Sequence, residues 1–144
     1  MVVLFNEYDT EKSCEGDNEQ ACFFYGSMLY YGDGCPKDEK KAIPLFERSC
    51  FNNNHTDSCF LAGQTYIRQH ADGESSSVPR EPAKAIPFFE QGCKLNQLQS
   101  CRNLAVMYKN GDEGVPKDEA KFNHFKDETM RLFKIESDER NGKA

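Results

Sequence analysis

The sequence predicts an all-α chain, a solenoid of antiparallel helix-turn-helix repeats, and three observations carry that prediction. First, the segment Lys41-Ala-Ile-Pro-Leu-Phe-Glu-Arg-Ser-Cys50 returns 43 residues later as Lys84-Ala-Ile-Pro-Phe-Phe-Glu-Gln-Gly-Cys93, the self-similarity expected of stacked supersecondary units. Second, the apolar residues between such anchors follow helical spacing. Third, six of the seven cysteines form short-spaced pairs, Cys14 with Cys22, Cys50 with Cys59 and Cys93 with Cys101, separated by seven, eight and seven residues. Each pair straddles a polar turn between two amphipathic stretches.

Taken along the chain, a short helical stretch before Cys14 reads as the second half of an incomplete repeat. The segment from Ala21 to Tyr30 then places apolar groups at i, i+3, i+4 and i+7, and Gly32-Asp33-Gly34 stops it. A second helix starts at Asp38, an acceptable N-cap, and runs through Ala42, Ile43, Leu45 and Phe46 to Cys50. The next pair is expected over residues 56–70 and 82–94, and the last over 98–110 and 118–135. Between the members of the middle pair lies the Gly/Ser/Pro-rich insertion from Ala71 to Arg80, a surface loop that lengthens the repeat step from 36 to 43 residues. Pro44 and Pro87 fall several residues into the second helices, where each removes one backbone bond and conflicts with a regular helix. Gly26, Gly63 and Ala105 stand four residues after a cysteine in each first helix. Glycine costs a helix interior about 0.5–1 kcal/mol against alanine, so the register calls for close approach of a neighbouring helix. After Ser137 the polar tail is expected to fray. The organisation is therefore one solenoid over residues 1–137, with a partial repeat at 1–16, repeats at 18–51, 56–94 and 97–136, and a tail at 138–144.

With 144 residues the chain is most economically a single domain. Its net charge of −6 and scattered basic residues argue against a nucleic-acid surface or an anionic membrane as the partner. The run Val2-Val3-Leu4-Phe5 is too short for a membrane span or the apolar core of a signal peptide. Paired cysteines point to an oxidising compartment. Two routes fit: removal of a presequence, or import into the mitochondrial intermembrane space coupled to disulfide formation. The initial Met favours the second.

Helix geometry leaves two pairing schemes open. One closes each turn, and the other joins the ends of one hairpin, as in Cys22–Cys50. Zinc is a weaker alternative: Cys50, His55 and Cys59 are close in sequence, but the knuckle spacing is missing and the other two pairs contain no histidine. His70 and His124 are isolated on polar backgrounds. The acidic turns from Asp33 to Glu39 and from Asp112 to Glu119 lack the spacing of a calcium loop, and helix capping accounts for Asp38 and Asp118. No nucleophile–base pair, metal site or cofactor site can be nominated, which leaves a non-enzymatic reading. Cys35, the seventh cysteine, reads as a buried free thiol.

The segment Ala21-Cys-Phe-Phe-Tyr-Gly-Ser-Met-Leu-Tyr-Tyr-Gly-Asp-Gly-Cys-Pro-Lys-Asp-Glu-Lys-Lys-Ala42 resembles the Sel-1-like repeat, a relative of the tetratricopeptide repeat. Cys35 stands where that family usually has Val, and the third copy restores it as Val115. A narrower, cysteine-rich subset includes bacterial secreted repeat proteins and mitochondrial members that act in cytochrome c oxidase assembly. The segments Met107-Tyr-Lys-Asn-Gly-Asp-Glu-Gly-Val-Pro-Lys-Asp-Glu-Ala-Lys121 and Asn54-His-Thr-Asp-Ser-Cys59 are similar to those of the mitochondrial members. The resemblance implies the turn-closing pairing of Cys14–Cys22, Cys50–Cys59 and Cys93–Cys101. In the chain-entropy picture such short rings contribute about 2.5 kcal/mol each.

The resemblance further implies a scaffold that holds another polypeptide, with first-helix residues on the inner face. Phe24, Tyr31, Arg68, Arg102 and Lys109 are the candidates for partner contact, each weighed against ordinary packing or solvation. The expected partners are subunits of a respiratory-chain complex, cytochrome c oxidase first. The rival readings are a secreted or periplasmic bacterial repeat protein that binds β-lactams or another partner, and a thiol–disulfide oxidoreductase, which would need a reactive thiol such as Cys35.

Overall fold

The computed structural model describes residues 6–68 and 78–142. Among them lie seven helices: α1 (Glu7–Glu15), α2 (Glu19–Tyr31), α3 (Glu39–Asn53), α4 (Thr56–Ile67), α5 (Pro82–Lys94), α6 (Leu98–Asn110) and α7 (Glu119–Arg140). Each packs chiefly on the helix before it and the helix after it, and α3 also touches α5. That nearest-neighbour pattern is the solenoid the repeat predicts. Three hairpins, α2–α3, α4–α5 and α6–α7, follow α1.

One hydrogen bond closes all three hairpins at the same register. Seven residues past the leading cysteine, the carbonyls of Leu29, Tyr66 and Tyr108 accept from the backbone N–H of Asp38, Glu81 and Asp118, at 2.7, 2.9 and 2.9 Å. The middle hairpin keeps this bond although its connection is longer, so the insertion leaves the repeat frame intact. Side-chain caps then start the second helices: Asp38 accepts from the Lys41 N–H and Asp118 from the Lys121 N–H. Glu81 provides no such cap, and Pro82 at the first helical position replaces it.

The core runs between the helices of each hairpin. Phe46 and Phe89, four residues before the closing cysteines, are fully buried. Each ring fills the notch left by a small residue of the partner helix, Phe46 at Gly26 and Phe89 at Gly63. Close approach is thus what the small-residue register serves. The internal prolines also find an explanation. Pro44 and Pro87 are exposed, as are Lys40 and Ala83, whose carbonyls lose a helical donor. Water can satisfy those carbonyls, so each proline costs far less than it would on the buried face.

Two helix ends differ from expectation. The fourth helix stops at Ile67: Arg68 is extended, with φ −70° and ψ 140°. The expected continuation to residue 70, including His70, lies outside the described residues, as does most of the Ala71–Arg80 loop. At the other end α7 continues through Arg140, past the point where the polar composition suggested fraying. Its stop is Asn141-Gly142, with Gly142 at φ 71° and its N–H bonded to the Glu139 carbonyl. That is a C-terminal glycine signal which the charged surroundings disguise. No helix among the described residues is long and apolar enough to cross a membrane.

Disulfide corners and candidate interaction surface

The three inter-repeat corners share one construction. Cys14–Cys22, Cys50–Cys59 and Cys93–Cys101 are bonded, with Cα–Cα distances of 4.5, 4.8 and 4.7 Å. These are the turn-closing pairs, and all six cysteines are buried. Each corner turns on one residue in the left-handed region: Asp17 (φ 65°), Asn54 (φ 53°) and Asn96 (φ 67°). Asn and Asp tolerate that region better than other non-glycine residues, which explains the polar turns. The following residue starts the next helix, and its N–H closes the turn: Asn18 to the Ser13 carbonyl, His55 to Ser49, Gln97 to Gly92. The middle corner spans one residue more in this bond, and the extra residue reappears in its longer cysteine spacing.

His55 has a structural task at its corner. Its Nδ1 accepts from the Ser58 N–H at 3.2 Å, capping α4, and its ring lies 4.1 Å from that of Phe23. With both sulfurs of Cys50 and Cys59 in a disulfide, the Cys50, His55 and Cys59 set is not assembled as a zinc site. His124 is exposed, edge-on to Phe125. Cys35 carries a free thiol, and the structure corrects its expected burial: it is half-buried, packed against the first core cluster. Desolvation pushes its thiol pKa up, and the carboxylates of Glu7 and Asp33 add to the effect while Lys41 opposes it. This environment disfavours the thiolate that a redox centre requires.

Counting from each leading cysteine, the first helices present a common register at positions +2, +5 and +9. These are Phe24, Ser27 and Tyr31 in α2, then Leu61, Gln64 and Arg68 beside α4, then Asn103, Val106 and Asn110 in α6. Phe24, Tyr31 and Val106, at the +2, +9 and +5 positions of their helices, are 40%, 65% and 49% exposed. Arg68 is engaged within the chain. Its guanidinium donates to Glu39, which is 1% exposed, and at 3.2 Å to the Tyr30 hydroxyl. Burial pushes the Tyr30 hydroxyl pKa up, with Arg68 pulling the other way. Arg102 and Lys109 are exposed on α6, the Lys109 ammonium 5.7 Å from the centre of the Phe122 ring.

A feature not apparent in sequence lies beside α6. Arg80, the last residue of the insertion, grips both carboxylate oxygens of Asp112 at 3.0 and 2.7 Å and donates from Nε to the Ile67 carbonyl. That contact ties the long loop to the α6–α7 turn. Arg80 and Asp112 border a groove of about 450 Å³ that Ile67, Arg102, Asn103 and Val106 also line. A periodic reading passes over this pair because Arg80 sits in an insertion and Asp112 in a turn.

The Sel1 repeat profile matches residues 19–53, 57–97 and 98–121, one match for each hairpin. The chain belongs to the Sel1 repeat family. Among solved structures this Sel1 chain is similar to c5321, described as a protective antigen present in uropathogenic Escherichia coli strains and displaying an SLR fold. The TM-score is 0.68 at 21% identity, covering 87% of this chain and 25% of that one. A Sel1 repeat protein from Oxalobacter formigenes matches with a TM-score of 0.66 at 19% identity, covering 88% of this chain and 48% of that one. The Sel1 chain thus spans about a quarter and about half the length of these relatives, and the likeness is one of fold. No curated protein matches it.

Proposed function

We propose that this Sel1 repeat chain is a non-enzymatic scaffold of the mitochondrial intermembrane space, an assembly factor or accessory subunit of a respiratory-chain complex, with cytochrome c oxidase the foremost candidate. Sel1 repeats mediate protein–protein interaction, and the exposed first-helix register offers the surface for it. The observation that carries the compartment is the disulfide at every inter-repeat corner, since such bonds persist where thiols are kept oxidised. Phe24, Tyr31, Arg102 and Lys109 are the proposed contacts. Arg68, already bound to Glu39, supports the register and does not reach out from it. A single solenoid domain is proposed over residues 1–137, its last helix running on through Arg140 into the polar tail.

Crosslinking and affinity capture from detergent-solubilised mitochondria test this. Enrichment of respiratory-complex subunits is expected, and recovery of the chain alone would overturn the proposal. A second reading, a secreted or periplasmic bacterial protein, draws support from the bacterial origin of the similar structures and from the same disulfides. Fractionation of the source cells separates the two.

A further inference from the structure

We propose that the outward face of α7 is a self-association surface, on which α7 of a second copy of this chain docks antiparallel. The inference goes beyond the scaffold reading and needs no particular partner or compartment. α3 and α5 each end in a corner that ties them to the next helix. Twelve residues past the hairpin-closing Asp38 and Glu81 stand Cys50 and Cys93, and the backbone then turns at Asn54 (φ 53°) and Asn96 (φ 67°). At the same register from Asp118, α7 carries Met130 and stays helical through Arg140, seven residues beyond the position equivalent to Asn53. α7 therefore builds no corner of this kind among the described residues. It packs chiefly on α6, Leu132 is its one buried residue, and Met130 and Phe133 are left 64% and 59% exposed.

The charges beside that apolar pair identify the occupant. Asp127 and Lys134 lie on one stripe of α7 with Met130 between them, at i, i+3 and i+7. Both are exposed, and neither has an ion-pair or hydrogen-bond partner among the described residues. Standing ~10 Å apart along the helix axis, they are too distant to satisfy each other. A second α7 laid antiparallel, centred between Met130 and Arg131, brings Asp127 opposite Lys134 of that copy and Lys134 opposite its Asp127, the reciprocity of a two-fold interface. A parallel arrangement would set acid against acid and base against base, so charge selects the direction. In the antiparallel pair Phe133 falls beside Met130 of the second copy, and the two side chains shield each other from water. Arg131, near the centre, is already held by Glu128 at 2.8 Å and by Asn96 at 3.2 Å, which offsets the approach of its symmetry mate. Asp127, Met130, Phe133 and Lys134 border, with Leu98 and Arg102 of α6, a shallow groove of about 860 Å³ that receives the side chains of the second helix.

Sedimentation velocity of the intact oxidised protein over a concentration series is the test. A reversible monomer–dimer equilibrium is expected, and it should weaken as salt rises. Asp127→Lys sets like charges against each other at two symmetry-related places and should raise the dimer dissociation constant about tenfold, as should Lys134→Asp. The double variant, Asp127→Lys with Lys134→Asp, should return the constant close to that of the unmodified chain, because the reciprocal pairs are then restored in reverse. Met130→Glu should abolish the dimer and leave the helical circular dichroism of the monomer unchanged, since the site is exposed. A monomer at every concentration, a dimer that survives Met130→Glu, or a double charge swap no tighter than the single ones would overturn the assignment. Capture of an unrelated polypeptide by α7 in place of a second copy would overturn it as well. Each of these outcomes leaves the partner crosslinks that test the scaffold reading untouched, so the two fail separately.

Discussion

Gly63 lies under the ring of Phe89 so closely that a Cβ built on its α-carbon would meet the ring at 2.5 Å. The equivalent approach in the preceding hairpin, Gly26 to Phe46, is looser at 3.0 Å. Both rings are fully buried and cannot swing into solvent. Gly63→Ala is therefore expected to destabilise the chain by about 1–3 kcal/mol, the range for overpacking, despite a helix-propensity gain of up to about 1 kcal/mol. Gly26→Ala should cost clearly less. Chemical denaturation of the two variants checks the order, and equal effects would contradict the packing account.

The corner disulfides close rings of similar length, so the loop-entropy term is similar for each. Replacing both Cys50 and Cys59 by Ser is expected to cost about 2.5 kcal/mol from the loop-entropy term alone. Placing two hydroxyls where both sulfurs are fully buried adds to this. The double variant of Cys14 and Cys22 should do less damage to the whole, because α1 packs chiefly on α2 alone. Thermal unfolding under non-reducing conditions distinguishes these, and peptide mapping of the unreduced protein reports the connectivity directly.

Much of this architecture was readable from residue pattern because the signals are local and repeated. Asp38 and Asp118 announce helix starts, the glycine pairs announce stops, and the cysteine spacing marks the corners. What stayed hidden depends on tertiary geometry. Nothing in the sequence says that Pro44 and Pro87 face solvent, which is what makes them tolerable. Nothing near Arg80 announces Asp112, 32 positions away, or near Arg68 announces Glu39. The half-buried state of Cys35 was equally illegible, since a cysteine in a valine position reads as core whether or not the turn around it is open.

Arg68 and Glu39 make the second of those long-range ties. Glu39 is almost fully enclosed, with Lys37 a further 3.5 Å contact and its Oε2 without a hydrogen-bond partner among the described residues. Removing a partner of a buried charge leaves an uncompensated ion, a loss of about 3–5 kcal/mol for a fully enclosed pair. Arg68 is about a third exposed and Lys37 stays beside Glu39, so Arg68→Ala should fall below the lower end of that range. Arg68→Ala combined with Glu39→Gln should recover part of the loss, since the charge itself is then gone. A double-mutant cycle by denaturation measures it, and a purely additive cycle would remove the pair from the stability account.

The free thiol offers a chemical test of its surroundings. Desolvation and the nearby carboxylates raise the Cys35 pKa, so near neutral pH less of it is thiolate than in a model peptide. Alkylation of the native protein should label one cysteine, Cys35, more slowly than a free peptide cysteine, with the rate climbing as pH rises. A fast reaction at neutral pH would contradict the packing described here and revive the oxidoreductase reading.

The Arg80–Asp112 pair links the inserted loop to the last hairpin, and its pH dependence has a definite sign. The guanidinium beside Asp112 holds the carboxyl below the ordinary aspartate range, helped by the Glu113 N–H and opposed by desolvation. A carboxyl whose folded pKa lies below its unfolded value contributes stability that is present above the unfolded value, near 4, and is lost as pH falls through the folded one. Between neutrality and about pH 5 the contribution should be flat, and below about pH 4 it should decline. Asp112→Asn should therefore lower stability near pH 7 and flatten its fall at acid pH relative to the unmodified chain. Unfolding curves collected between pH 2 and pH 7 test this, and parallel acid limbs for the two proteins would show that the pair makes no net contribution. Since both side chains remain about a quarter to a third exposed, added salt should shrink the difference without abolishing it.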